Sequence, residues 1–97
     1  MEKIEFKKGE LVKLGNFLEN QVFPINEETG QIKHEYNSIS MAELLKGQCV
    51  MYIKKVHYII DRSILHKILF DSQFFYIEDN CEYINDESHR NISKVKI

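Results

Sequence analysis

Residues 46–84 read KGQCVMYIKKVHYIIDRSILHKILFDSQFFYIEDNCEYI. β-Branched and aromatic side chains are frequent in this stretch, and such residues suit the pleated, half-buried surface of a sheet. The whole chain contains one alanine, which argues against a fold built mainly from helices. The sequence therefore predicts a mainly β fold, with strands at residues 48–53, 63–70, 73–77 and 82–84.

A polar pair, Asp71 and Ser72, separates two of these predicted strands. Two polar residues between apolar runs are typical of a tight hairpin turn. Within the strands, side chains alternate between two faces, so that only one residue of each adjacent pair enters a given face. The predicted core residues, allowing for their immediate neighbours, are Leu11, Val50, Ile68, Phe70, Phe74 and Ile84.

The first half of the chain carries weaker signals. Residues 10–14 alternate with period two and predict a short strand. Residues 24–37 hold few apolar side chains and predict a long loop, with a short strand near Ile32; loops of this length often carry function. Beyond that loop, one short helical segment is predicted near residues 40–46, with Ser40 as its N-cap, Glu43 completing a capping box and Gly47 as its C-cap.

An alternative remains open for part of the central stretch. Apolar residues at i, i+1, i+4 and i+5 from Ile64 also fit a helix over residues 63–70. Residues 49–53 and 56–60 would then form a hairpin around Lys54 and Lys55, and the fold would be α+β.

Length and composition indicate one domain across residues 1–97. The first five residues include three charged ones where a signal peptide needs an apolar run, and no stretch approaches the roughly 20 apolar residues of a membrane span. We therefore expect a cytoplasmic protein without a membrane partner. In that compartment Cys49 and Cys81 should be thiols, and both are expected as small buried hydrophobes.

Charge is distributed unevenly along the chain, although the net charge is only −2. Residues 46–67 contain five basic residues and one acid, whereas residues 71–87 contain six acids and no lysine or arginine. Ile, Lys and Asn together supply 31 of the 97 residues. That bias is typical of AT-rich genomes, such as those of low-GC bacteria and their phages.

Three segments resemble one known class of small domain. Residues 6–14 read FKKGELVKL, residues 46–53 read KGQCVMYI, and residues 67–77 read KILFDSQFFYI. In this order they resemble the opening strand, the long strand that follows a glycine, and the hairpin of the small SH3-like β-barrels of tailed phages and bacteria.

The resemblance implies a barrel over about residues 6–84, followed by a polar C-terminal tail at 85–97. Residues 15–46 depart from the pattern, because they are longer than the usual first loop of these barrels. SH3-like barrels bind peptides, proteins or nucleic acid and share no catalytic residues. The resemblance thus implies a fold and carries over no site.

Signatures of catalysis are missing from the sequence. The four histidines and two cysteines show no C-x2-C or H-x3–5-H spacing of the kind found in zinc sites. The four scattered glycines form no phosphate-binding loop. We expect no metal, no cofactor and no enzymatic activity.

The favoured hypothesis is a non-enzymatic protein-binding module, such as a phage or mobile-element protein that inhibits or modulates a host protein. A barrel this small has interior space only for side chains, so a partner must contact its outside. If residues 24–37 fold back toward the hairpin at 70–76, they form an aromatic patch with an acidic rim that suits a basic protein surface. The predicted partner-binding residues are Tyr36, Phe75, Tyr76, Glu78 and Asp79.

Two alternatives come from other classes of function. An exposed aromatic ring among basic residues would stack on bases, and the predicted nucleic-acid-binding residues are Lys54, Lys55, Arg62 and Lys67. The third hypothesis is a protein that sequesters a small molecule, such as a nucleotide.

Overall fold

The computed structural model describes residues 5–15, 22–26, 28–33, 38–57, 64–78 and 91–95. Across these ranges, six antiparallel strands form one sheet, accompanied by a single short helix. The predicted mainly β fold is confirmed.

The elements are β1 (Leu11–Leu14), β2 (Val22–Pro24), α1 (Ser38–Leu45), β3 (Cys49–His57), β4 (Ile64–Phe70), β5 (Gln73–Glu78) and β6 (Ile92–Lys94). Their order across the sheet is β2-β5-β4-β3-β1-β6. Strands β3, β4 and β5 form a meander at its centre, and β2 and β6 lie at the two ends of the described sheet. Pro24 is tolerated in β2 because, among the described strands, β2 pairs with β5 alone and lies at an end of the sheet.

The α+β alternative is wrong, because residues 64–70 form strand β4. The apolar pattern that fits a helix arises here from a strand with apolar groups on both faces. Leu65 and Ile68 are both buried, and their odd spacing places them on opposite faces. The hairpin around Lys54 and Lys55 is also wrong: β3 runs through both residues, with a register shift between Tyr52 and Lys54.

The predicted turn at Asp71 and Ser72 is confirmed. Both residues have positive φ, 50° and 62°, which is the backbone of a type I′ turn. Phe70 and Gln73 close the turn as a cross-strand pair. The twist of this turn matches that of the flanking strands, so it fixes the register of β4 against β5.

Strand β6 lies in the segment that was predicted to be a polar tail. Ile92 is fully buried, and β6 pairs with β1 through Leu14 and Ile92 and two further residue pairs. The tail prediction is therefore wrong for residues 92–94. Three residues are too few to show the alternation by which a strand is recognised in a sequence. The burial of Ile92 results from pairing with β1, which the sequence does not reveal. The strand predicted at 82–84, with Ile84, lies outside the described residues.

Helix α1 begins at Ser38, two residues before the predicted start, so Ser40 lies within its first turn and is not the N-cap. Its last residue is Leu45, one residue before the predicted end, and Gly47 adopts the left-handed conformation predicted for it. Gly47 has φ of +80°, and its N–H donates to the carbonyl of Leu14 at 2.8 Å. Ala42 and Leu45 are buried, and the helix packs against β2.

The main core cluster lies on one face of the sheet, which we call the inner face, whereas the buried Leu65 lies on the other face. Of the predicted core residues, Val50 and Ile68 are confirmed, and Phe70 is partly buried against the core. Leu11 and Phe74 themselves lie outside the core, and their immediate neighbours Val12 and Phe75 are buried in it, so the prediction is confirmed there through the neighbours that it allowed for. The core comprises Val12, Leu14, Val22, Ala42, Leu45, Val50, Tyr52, Ile68, Phe75, Ile77 and Ile92.

Part of the predicted loop at residues 24–37 is an ordered hairpin. Ile25 and Ile32 form an isolated β-bridge, and the N–H of Asn26 donates to the carbonyl of Gln31 at 2.8 Å. The Gln73 side chain ties this hairpin to the β4–β5 turn: its Nε2 donates to the carbonyl of Ile25 at 2.8 Å, and its Oε1 accepts from Nζ of Lys33 at 2.9 Å. The described part of residues 24–37 therefore lies against the β4–β5 hairpin. The hypothesis of a shared aromatic patch required this contact.

Candidate functional site

The face of the sheet opposite the core, which we call the outer face, carries a row of four apolar side chains. Leu11 pairs with Met51, Met51 with Leu69, and Leu69 with Phe74. Residues directly opposite each other in an antiparallel sheet place their side chains on the same face. The row, called the apolar row below, therefore runs unbroken across β1, β3, β4 and β5.

The apolar row is open to solvent. Leu11 is 52% exposed and Met51 is 45% exposed, while Leu69 and Phe74 are half-buried. Exposed apolar side chains are ordinary when scattered, but a contiguous set marks a contact surface. Methionine and aromatic residues are also enriched in the centres of protein interfaces.

A second row runs beside the first and is mostly polar. Lys54 pairs with Lys67, Lys67 with Tyr76, and Tyr76 with Phe23. Like charges placed directly opposite each other in a sheet are unfavourable. The lysine pair therefore does not serve the stability of the isolated sheet, and an acidic group placed above it would relieve the repulsion.

Lys67 links the two rows, because its Nζ lies 4.6 Å from the centroid of the Phe74 ring. At this distance the cation is attracted by the ring face. Lys13, two residues after Leu11 on β1, is exposed at the other side of the apolar row. In the described part of the outer face, three lysines thus surround the apolar row, whereas Glu78 is the single acidic residue on that face.

The predicted partner-binding residues separate into three groups. Tyr76 and Glu78 are both half-buried on the outer face, two residues apart on β5. Phe75 is 3% exposed and belongs to the core, so its side chain is not presented to a partner; the alternation of β5 places it on the opposite side from Tyr76. Tyr36 and Asp79 lie outside the described residues.

The predicted nucleic-acid-binding residues are also divided. Lys54 and Lys67 are neighbours on the outer face, with Tyr76 next in the row. Lys55 pairs with the buried His66 and therefore faces the other side of the sheet. Arg62 lies outside the described residues.

Cysteine and metal chemistry have little support in the described ranges. Cys49 is exposed, which corrects the expectation that it is buried, and Cys81 lies outside these ranges. No three His, Cys, Asp or Glu side chains come together there as a metal site would require. The described ranges also contain no helix with the length and apolar character to cross a membrane.

Sequence reasoning missed the apolar row itself. Leu11 and Phe74 were assigned to the core, and Met51 and Leu69 were assigned to no site. The only available signal was that apolar residues occupy both faces of the strands at 48–53 and 63–70. That signal does not indicate which face packs against the core, because the orientation of each side chain depends on how the strands pair.

Comparison with known proteins finds no relatives. No family model, no curated protein and no solved structure matches this chain.

Proposed function

We propose that this chain is a non-enzymatic protein-binding module whose contact surface is the outer face of the sheet. The observation that carries the proposal is the apolar row, in which Leu11 and Met51 are about half exposed. An apolar surface of this kind gains free energy when a partner removes it from water. Tyr76 and Phe74 add aromatic groups of the type that dominate binding energy at interfaces.

The charges around the row indicate the chemistry of the partner. Lys13, Lys54 and Lys67 surround the apolar side chains, and Glu78 is the single described acid on this face. A partner with an apolar patch flanked by carboxylates is complementary to this arrangement. A second copy of the same face would bring lysines toward lysines, which disfavours self-association through this surface.

This partner differs in charge from the basic protein expected from the sequence. The difference arises because Lys54 and Lys67 share the face with Tyr76, whereas Glu78 is the one described member of the expected acidic rim. The acidic partner is therefore the proposal that follows from the described residues.

We further propose that the sheet is an SH3-like barrel. The support is the order of three elements: a short first strand, a long β3 that starts two residues after Gly47, and the β4–β5 hairpin. The last strand of the resemblance, at residues 82–84, lies outside the described residues. The proposed setting is cytoplasmic, as a phage or mobile-element modulator of a host protein. Its support is the bias of the composition toward Ile, Lys and Asn.

Nucleic acid is the second candidate partner, because Lys54, Lys67 and Tyr76 are consecutive in one row. Two cations beside a partly exposed aromatic ring suit a single-stranded backbone with a stacked base. This candidate requires that oligonucleotide binding falls steeply with salt and is lost in the Lys54→Gln/Lys67→Gln variant. A flat salt response removes it.

The proposal is tested by capture of proteins from a low-GC bacterial lysate on three immobilised forms of the domain. These are the wild type, Leu11→Gln/Met51→Gln, and the control Ile39→Gln/Leu44→Gln. The control is matched because Ile39 and Leu44, 54% and 48% exposed, lie on α1 instead of the outer face. We expect a protein with an acidic surface that the wild type and the control retain and the Leu11/Met51 variant loses.

Two results contradict the proposal. One is equal retention of the same protein by all three forms. The other is loss in the control together with retention by the Leu11/Met51 variant, which would move the contact surface to α1.

A further inference from the structure

A cavity of about 330 Å³ lies between the N-terminal segment and the second half of β3. Strand β1 pairs with β3 as far as Met51, and two further backbone bonds, each 2.8 Å, join Tyr52 to Gly9 and Glu10. Gly9 has φ of +84°, a backbone that favours glycine and turns the chain there. On the N-terminal side of Gly9, the residues Glu5, Phe6 and Lys8 line one side of the cavity, and residues 53–55 line another.

Three aromatic rings line the same cavity. The Phe6 ring centroid lies 5.2 Å from that of Tyr52 and 5.5 Å from that of His66, in the second case edge to face. Tyr52 and His66 are each 2% exposed, and Oη of Tyr52 is hydrogen-bonded to Nδ1 of His66 at 2.8 Å. Burial and this bond hold the two rings in place, so the aromatic wall is formed before a ligand arrives.

The rim of the cavity is positively charged. Lys8, Lys54 and Lys55 contribute to the lining, and Glu5 is the single acid among the lining residues described. Low-dielectric walls concentrate the field of such charges within a cleft. The lysines therefore favour an anion, and the aromatic rings beside them favour a planar apolar group.

We propose that this cavity binds a small anion that carries one aromatic or heteroaromatic ring beside a phosphate or carboxylate group. The ring contacts mainly the half-buried Phe6, which packs against the Tyr52–His66 pair, and the anionic group lies near Lys8 and Lys55. Pockets that hold small ligands measure about 300–1,000 Å³, so the cavity, near the lower end of this range, has room for one such ring and its anionic group.

This site is independent of the protein-binding surface in most of its residues. Lys55, Tyr52 and His66 face the inner side, whereas the apolar row is on the outer face. Lys54 is the exception, because it lines the cavity and also pairs with Lys67. Lys54 is therefore left unchanged in the variants below.

The test is an NMR titration of the ¹⁵N-labelled full chain with phenyl phosphate, which joins one ring to one anionic group. Inorganic phosphate tests the charge alone, and phenol tests the ring alone. We expect saturable shifts of the amides of Phe6, Tyr52 and Lys55 with phenyl phosphate, and clearly weaker binding of either control compound.

The variants separate the two parts of the site. Lys8→Gln/Lys55→Gln should weaken phenyl phosphate binding by about tenfold, since two charges near the surface are removed. Lys46→Gln/Lys94→Gln removes the same charge at two exposed positions outside the cavity lining and should leave the affinity unchanged. Phe6→Leu keeps an apolar side chain and removes the ring, so it should weaken phenyl phosphate without changing the affinity for phosphate.

Three results overturn the proposal. The first is the lack of any saturable shift at the three amides. The second is inorganic phosphate binding as tightly as phenyl phosphate, which shows that the rings add nothing. The third is an equal loss of affinity in both double-lysine variants, which shows that the charges act through the net charge of the protein and not through the cavity.

Discussion

Met51 and Leu69 lie directly opposite each other on the outer face of β3 and β4, the side of the sheet away from the core. The next pairs extend this contact to Leu11 on one side and Phe74 on the other. A single exposed leucine needs no explanation, whereas four apolar residues in register across four strands are an ordered surface. The proposed function requires that these four side chains point away from the core. Unfolding measurements on single variants test this orientation.

The adjacent phenylalanines on β5 test the facing within one strand. Phe75 is buried, so Phe75→Ala should reduce the free energy of unfolding by about 3–5 kcal/mol. Phe74 is half-buried and loses mainly its contacts with Leu69 and Lys67, so Phe74→Ala should cost at most about 1–2 kcal/mol. Urea unfolding of both variants measures the difference. A larger loss for Phe74→Ala would reverse the assignment of the two faces.

The Asp71–Ser72 turn should be open to stabilisation. Ser72 has φ of 62°, and this left-handed conformation costs a residue with a Cβ about 1–2 kcal/mol. Ser72→Gly should therefore raise the free energy of unfolding by about 0.5–1 kcal/mol, after the greater entropy loss of glycine is subtracted. Thermal unfolding should show a Tm several degrees higher, with Ser72→Ala as the control that gains nothing. A lower Tm for Ser72→Gly would rule out the type I′ geometry.

The buried hydrogen bond between Tyr52 and His66 should contribute to stability. Tyr52→Phe removes the hydroxyl that is bonded to Nδ1 of His66, and loss of a buried partner typically costs about 1–3 kcal/mol. Tyr76→Phe is the matched control, because Tyr76 is half-buried on the outer face and should change stability by less than about 0.5 kcal/mol. Chemical denaturation compares the two variants. Equal effects would mean that this hydrogen bond adds nothing to the stability of the domain.

Strand β6 should be an integral part of the fold. Ile92 is fully buried, so Ile92→Ala should destabilise the domain by about 2–5 kcal/mol. Lys94→Ala, two residues later, removes an exposed side chain whose Nζ is 3.8 Å from Oε2 of Glu10, and should cost less than about 1 kcal/mol. If Ile92→Ala unfolds at the same urea concentration as the wild type, residues 92–94 are a tail and not a strand.

The sequence predicted a strand in each part of the central stretch and the turn between β4 and β5, although residues 63–70 remained open between a strand and a helix and β3 extends beyond the predicted 48–53. Long runs of β-branched and aromatic residues, separated by Asp71 and Ser72, are local signals that need no knowledge of the partner strands. Gly47 was also identifiable, because a helix that ends in a left-handed residue favours glycine.

The sequence did not reveal which residues of each strand point toward the inner face. The run from Phe74 to Ile77 is apolar on both faces, so alternation alone leaves two phases that differ by one residue. The phase is set by pairing with β4, and that pairing brings Phe75 against Ile68 on the inner face. The same uncertainty placed Leu11 in the core instead of Val12. The candidate site could not be predicted for the same reason. The apolar row consists of residues that were assigned to the inner face or to no face at all.

Site-specific photocrosslinking in bacterial cells tests the role of the outer face most directly. A photoreactive benzoyl side chain is placed at position 51 in one form of the protein and at position 44 in a second. Both native residues are similarly exposed, Met51 at 45% on the outer face and Leu44 at 48% on α1. We expect a discrete adduct with one acidic protein from position 51 and no such adduct from position 44. Adducts from position 44 alone, or adducts of position 51 only with nucleic acid or with a second copy of the chain, would contradict the proposed protein-binding surface.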